Sequence, residues 1–402
     1  MCIERLSARL GVLLSILMTM TTACGDASDT ESMVGNDVTP EGTSTPDEGA
    51  SLETISGCGD TTLLASTSDD AAPGAWKVGA RTLMAGDLQA EVWYPAAPGS
   101  DSGVDTIIYD IRDQLAPDEG AKIPDEDNPW HYCDCYRDLP LDTERGPYPV
   151  IIFAHGTAGF RHQSLAQMTH WASHGFVVAA VDHPGLKLGD LLSFNFNQDL
   201  STDLNTLHAT LSELPGDWSF LDGAIDLERL GAAGHSAGGG AIGALSDRAQ
   251  VMIPMASRGT SESPALKSTL ILGGVDDSVA AYDGQVSGYE SSPATKRLVG
   301  LSNAGHLAFS DLCNLGADKG GLVAIANQYG VSGASFASFL WDGCDEGQLA
   351  FEDARDIVNY ATTATLKETL HCNETAALNL PEISTKFDAI SEYREDLGTL
   401  TP

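Results

Sequence analysis

Leu230 to Gly240 reads LGAAGHSAGGG, and the interpretation of the whole chain depends on it. Gly234-His235-Ser236-Ala237-Gly238 fits the G-x-S-x-G nucleophile elbow, a sharp strand-to-helix turn that presents a serine hydroxyl above the backbone. The residues two before and two after the serine must be small, and Gly234 and Gly238 are. Upstream, Arg229 to Ala233 reads as a short buried strand; downstream, Gly239 to Leu245 is small and apolar enough for a helix packed closely on a sheet. A chain with 42 glycines also produces this pentapeptide as an ordinary turn, so its meaning depends on partners elsewhere.

The neighbouring stretches supply a frame. Val150-Ile151-Ile152-Phe153-Ala154 is an apolar strand, His155 to Arg161 turns into a helix running to about His174, and Gly175 to Asp182 is the next strand. Strand, glycine turn, helix and strand in so few residues form a βαβ unit with parallel strands, whose carboxyl ends share the edge where open sheets bind ligands. Trp76 to Leu83 and Leu88 to Pro95 read as an antiparallel pair before it. Val251 to Met255, Thr269 to Gly273 and Arg297 to Leu301 are strands after it. Ala96 to Pro149 breaks into Asp, Pro and Gly and reads as an excursion tied by Cys133 and Cys135, with Asp125-Glu126-Asp127 as a solvated loop. Gly185 to Asp226 holds a helix from Asp203 to Leu214. Its Leu191, Leu192, Phe194, Phe196, Trp218 and Phe220 read as core side chains, some of them candidates for a wall over the site. A further helix runs from Glu352 to about His371, and the chain from about residue 313 onward reads as a helical extension.

A serine hydroxyl is a poor nucleophile at neutral pH. It needs an imidazole base, and the imidazole needs a carboxylate to fix its tautomer. Of ten histidines, His306 alone follows Ser236 in a loop directly after an apolar strand. His155 and His183 end earlier strands, His235 adjoins the serine, and His371 lies late in a helix. The loop before His306 offers Asp276 and Asp277, only one of which can face the imidazole; Asp182 is the outsider. An oxyanion needs fixed N–H donors: one is the amide of Ala237, after the nucleophile, and the other that of Thr157, in the loop after Val150–Ala154.

Together, FAHGTAGFRHQ (153–163), ASHGFVVAAVDH (172–183), GHSAGGG (234–240) and GHLAFSD (305–311) resemble the platelet-activating-factor acetylhydrolase group of serine esterases. This group sits in the α/β-hydrolase assembly with dienelactone hydrolases and bacterial polyester hydrolases. The resemblance spans roughly Trp76 to Asp311. It implies the α/β-hydrolase fold, with a mostly parallel central sheet and helices on both faces. It also implies Ser236 as nucleophile, His306 as base and Thr157 and Ala237 as oxyanion donors, with no cofactor and no metal. Asp277-Ser278-Val279-Ala280 resembles the D-S-I-A stretch that bears the acid in polyester hydrolases, which favours Asp277 over Asp276. There are departures. Animal acetylhydrolases place the acid after an earlier strand, where Pro254-Met255-Ala256-Ser257 has no carboxylate. Dienelactone hydrolases use cysteine, and polyester hydrolases carry an aromatic residue where Thr157 stands. The tail from Cys313 has no counterpart.

The ends and the charge bound the rest. Arg5 and Arg9 precede an apolar run from Leu10 to Met20, so residues 1–23 read as a secretory signal. Thr21-Thr22-Ala23-Cys24 resembles a bacterial lipobox, with Cys24 as lipid anchor; plain cleavage and secretion is the alternative, so an exported envelope or secreted protein is expected. Residues 24–57 are polar and acidic and read as a disordered tether to a single hydrolase domain over 58–402. The net charge of −36 excludes nucleic acid and an electrostatic grip on anionic lipid. Cys58, Cys133, Cys135, Cys313, Cys344 and Cys372 remain for up to three disulfides, in any of 15 pairings. The expected partner is a small-molecule or lipid ester, with a lipase or polyester hydrolase, or a non-catalytic surface binding protein, as alternatives.

Overall fold

The apolar runs that end in glycine turns become the middle of an 11-stranded sheet. The computed structural model describes residues 52–398, so the signal and Cys24 lie outside the described residues, as does most of the tether. A small antiparallel pair comes first, β1 (Thr54–Ser56) and β2 (Thr62–Leu64). The large sheet then uses β3 (Val78–Ala85), β4 (Leu88–Pro95), β5 (Thr106–Tyr109), β6 (His131–Arg137), β7 (Tyr148–Ala154) and β8 (Val177–Val181). It continues with β9 (Ile225–His235), β10 (Ala249–Met255), β11 (Ser268–Gly274), β12 (Lys296–Leu301) and β13 (Ile390–Asp396). Their spatial order is β13-β12-β11-β10-β9-β7-β8-β4-β3-β6-β5. From β8 through β12 the pairings are parallel, with antiparallel neighbours added on either side. This is the α/β-hydrolase fold.

Strand alternation sends successive residues to opposite faces, and both faces are covered. Ile151, Phe153, Val178 and Ala180 pack with Met168 and Trp171 of the helix Leu165–Ser173 and with Ile357, Val358 and Ala361 of the helix Phe351–Leu370. Val150, Ile152, Ala154, Val177 and Ala179 pack against Leu204, Leu207 and Leu211 of the helix Leu200–Glu213 and against Ile242 and Leu245. Burial on both sides is why these strands read as continuous apolar runs. Each large side chain so buried contributes about 1.5–3 kcal/mol.

The connection from β7 to β8 runs one way along the sheet, and that from β8 to β9 runs back past β7. The carboxyl ends of β7 and β9 therefore flank a switch point, where a crevice opens in such sheets. Ala154 pairs with Gly234, so the loops carrying Thr157 and Ser236 leave adjacent strands at the same level.

Several expectations are corrected. The tether ends earlier than residue 57, since Thr54–Ser56 is a strand. The elbow strand is longer than expected, and the helix after it is a single turn, Ala237–Ala241, continued as a 3-10 turn over Ile242–Leu245. Residues 96–149 are not only an excursion: β5 and β6 extend the sheet beyond β3, with His131, Cys133 and Cys135 buried and Tyr132 and Asp134 exposed. The extension is not only helical, because β13 pairs with β12 through residues such as Tyr393 and Glu395. The six cysteines pair as Cys58–Cys372, Cys133–Cys135 and Cys313–Cys344. Among the described residues, no helix is long and apolar enough to cross a membrane.

Candidate active site

Ser236 sits between β9 and its short helix with φ 55° and ψ −120°, a sparsely populated conformation held by its surroundings. The flanking glycines are required sterically. A β-carbon on Gly234 would lie 2.7 Å from the carbonyl carbon of Gly238, and one on Gly238 would lie 2.2 Å from the carbonyl oxygen of Ala154. The backbone thus folds back on itself and on β7, leaving the hydroxyl to point out of the turn.

The hydroxyl of Ser236 donates to His306 Nε2 at 2.8 Å. His306 Nδ1–H in turn donates to Asp277 Oδ2 at 2.8 Å. The other carboxylate oxygen, Oδ1, accepts from the amides of Val279 at 2.9 Å and Ala280 at 2.6 Å. Asp277 is 5% exposed and His306 2%, so both oxygens are fixed by donors inside the protein. This set holds an ionised carboxylate against the imidazole, which leaves Nε2 free to take the serine proton. Asp276 is exposed. Asp182 is buried and committed to Arg161, whose amide and guanidinium reach its two oxygens at 2.7 and 2.6 Å.

The loop of Thr157 lies directly over the elbow, since a β-carbon on Gly156 would be 3.1 Å from Ser236 Cβ. The amides around Thr157 are occupied: that of Gly156 by Gln163 Oε1 at 3.1 Å and that of Ala158 by the carbonyl of Leu186 at 2.8 Å. The amide of Thr157 forms no hydrogen bond within the described residues, and that of Ala237, first in its helix, has no intrahelical partner. Ser236, Ala237 and Thr157 are each only partly buried amid buried neighbours, so the reacting point is open to solvent. A cleft of about 730 Å³ lies elsewhere, lined by residues such as Trp130, His131, His170 and Arg355. Triad geometry and strand ends locate the site better than that cavity does.

The four other histidines weighed in the sequence make structural contacts. His235 Nε2–H donates to the carbonyl of His306 at 2.9 Å, and its Nδ1 accepts from Gln163 Nε2 at 2.9 Å. Burial drives its pKa down to about 3, so it stays a neutral connector. His155 donates from Nδ1 to the carbonyl of Gly156 at 2.8 Å and accepts from the amide of His183 at 3.0 Å; burial lowers it to about 3 as well. His183 is buried against Asp203, and His371 against the carbonyl of Gly175. Two residues the sequence did not single out complete the frame. Gln163 joins the Thr157 loop to His235, and Asp342, from the tail, accepts from the amide of His306 at 2.7 Å. Gln163 stood inside the FAHGTAGFRHQ stretch; no local signal marked Asp342.

Residues 130–186, from β6 through the Thr157 loop to just past β8, match the model of the family "Platelet-activating factor acetylhydrolase, isoform II". Among solved structures, the chain resembles a ferulic acid esterase from Streptomyces cinnamoneus at 20% identity and a TM-score of 0.52. That likeness covers 76% of this chain and 93% of the other. It is a likeness of fold. The resemblance of the sequence to the platelet-activating-factor acetylhydrolase group is met again over residues 130–186, and the solved structure shares the α/β-hydrolase fold.

Proposed function

We propose that this chain, an α/β-hydrolase by fold, is a serine carboxylesterase acting through an acyl-enzyme. The observation that carries the reading is the unbroken chain Ser236–His306–Asp277, with both links at 2.8 Å. In this reading Ser236 Oγ attacks the ester carbonyl while its proton passes to His306 Nε2. The oxygen that becomes negative is held by the amides of Thr157 and Ala237. Collapse expels the alcohol, which takes the proton back from the imidazolium. Water, deprotonated by His306, then frees the acid. Asp277 stays ionised throughout and stabilises the imidazolium. No step needs a metal or organic cofactor.

The matched acetylhydrolase model supports a short-acyl or phospholipid-type ester as substrate. One observation favours the second reading, a lipase or polyester hydrolase with an open cleft. Phe194, Phe196, Phe336 and Phe339 are between 42% and 59% exposed, and their rings meet in a chain. The segment before Phe194 is bonded to the Thr157 loop, where the amide of Leu188 donates to the carbonyl of Gly159 at 3.0 Å. Three disulfides fit an oxidising compartment and so support export to a cell envelope or beyond, with Cys24 as lipid anchor or with plain secretion.

Hydrolysis of p-nitrophenyl esters from acetate to palmitate by the mature domain, beside Ser236→Ala, tests the reading. The variant is expected to lose about four to six orders of magnitude in kcat, as triad members do. A maximum at acetate supports the acetylhydrolase reading, and one at long chains the lipase. Equal rates in the two proteins would mean that Ser236 is not the nucleophile, and failure of the wild type to react with a fluorophosphonate would leave the binding-protein reading standing.

A further inference from the structure

The tail beyond Cys313 crosses back over the site at Trp341-Asp342-Gly343-Cys344. Asp342 Oδ2 accepts from the amide of His306 at 2.7 Å and from the amide of Ser278 at 3.1 Å, and Oδ1 accepts from the Ser278 hydroxyl at 2.7 Å. One carboxylate therefore joins the loop carrying the base to the loop carrying the acid, at the residue after Asp277. Its own carbonyl accepts from the amide of Leu307 at 2.8 Å. The approach is backbone on backbone: a β-carbon on Gly305 would lie 2.6 Å from the α-carbon of Gly343, which has φ +105°. The segment is fastened by the Cys313–Cys344 disulfide, so it is tied covalently to the chain just past the His306 turn.

We propose that Asp342 is a positioning residue of the active site, a carboxylate from the tail that sets the spacing between His306 and Asp277. The inference rests on the serine-hydrolase reading above. Burial raises the Asp342 carboxyl, but the Ser278 hydroxyl and the amides of His306 and Ser278 outweigh it and hold the group below the ordinary carboxylate range. It thus accepts at every one of these contacts. The two loops also meet where the amide of Asp276 donates to the carbonyl of Ala304 at 3.1 Å, but that bond lies at the strand ends, whereas Asp342 holds the amide of His306 itself and the residue next to Asp277. Removing the bridge leaves the Asp277–His306 bond and the strand-end bond of Asp276 to Ala304 to keep the imidazole and the carboxylate in register. A misplacement of about 1 Å in such a set costs roughly a hundredfold in rate.

The experiment compares wild type, Asp342→Ala and Asp342→Asn on p-nitrophenyl acetate, with the His306 Nδ1–H proton followed by NMR in all three. The alanine variant is expected to lose roughly ten- to a hundredfold in kcat with KM within about twofold, because the bridge touches the base and not the substrate. The asparagine variant keeps an oxygen for the two amides while the Ser278 hydroxyl turns to accept, and should stay within about threefold of wild type. The Nδ1–H signal should broaden or move upfield in Asp342→Ala and return in Asp342→Asn. Wild-type kcat and an unchanged signal in the alanine variant overturn the proposal, as does a loss carried by KM or one that asparagine fails to rescue. Asp342 is only partly buried, so its truncation spares the core; if the alanine variant nevertheless fails to fold, Asp342→Ser is judged by the same criteria. An inactive wild type with a normal Nδ1–H signal refutes the esterase reading instead, and the NMR comparison still decides the bridge.

Discussion

Asp276 and Asp277 are chemically the same and adjacent, yet only one faces His306. Asp277 is buried with both oxygens engaged, and Asp276 is exposed. Asp277→Asn should therefore lower kcat by about 10⁴, because the amide cannot hold the imidazole in the tautomer that accepts from serine. Asp276→Asn should leave kcat within about twofold, as exposed positions usually do. Side-by-side steady-state kinetics decides the assignment, and a larger loss in the Asp276 variant would reverse it. The sequence alone left the two open, since residues in a turn diverge by an angle that depends on how the loop is seated. Resemblance to a D-S-I-A stretch favours Asp277, the carboxylate that lies against His306 in the structure, and burial gives the physical reason. Ser236 and His306 were legible because their chemistry demands a small-residue turn and a later loop histidine. Asp342 was not, since it reaches His306 from 36 positions away with nothing local to announce it.

The elements read correctly were those whose order comes from burial. β7 and β8 are apolar at every position because both faces are covered, and no other structure accommodates such runs between glycine turns. β13 is Ile-Ser-Glu-Tyr-Arg-Glu-Asp, mostly polar, and becomes a strand only through its pairing with β12, where the buried Arg297 meets Glu395 at 3.6 Å. The helix Tyr282–Ser291 carries two glycines and little apolar periodicity, so it too was missed. β6 alternates between buried and exposed residues as a strand should, but it lies within a stretch whose Asp, Pro and Gly residues read as loop. The same dependence on neighbours governs the loops of the site. Gln163 bridges the Gly156 amide and His235, which in turn holds the His306 carbonyl. Gln163→Ala should leave those buried groups unpaired, lowering stability by about 1–3 kcal/mol. It should also lower kcat by roughly tenfold as the Thr157 loop loosens. Chemical denaturation and kcat read these separately; full activity would mean that the loop is seated by its other contacts.

Across the whole molecule, buried imidazoles set how the fold responds to acid. Burial is the leading cause in every case. It drives His155, His235 and His371 down to about 3, His170 to about 4, and His162 and His174 well below their ordinary value of 6.5. In the unfolded chain these rings titrate near 6.5. Below that pH the unfolded state binds protons that the folded state refuses, so the slope of stability with pH is positive. The stability they contribute is complete above about pH 6.5 and is lost as pH falls toward 3, each ring contributing on the order of 1 kcal/mol per pH unit. A second effect runs the other way, since a net charge of −36 repels itself and acid relieves that repulsion. Two facts decide between them. Exposed carboxylates stay ionised at pH 5, so the repulsion changes little there. At 0.15 M salt it is also screened beyond about 8 Å, whereas rings in the core are not. Thermal unfolding at pH 7.5, 6.0 and 5.0 should show Tm falling at each step, with the fall preserved in 0.5 M salt. A Tm that holds or rises from pH 7.5 to 5.0 would mean that these rings take up protons within the folded protein.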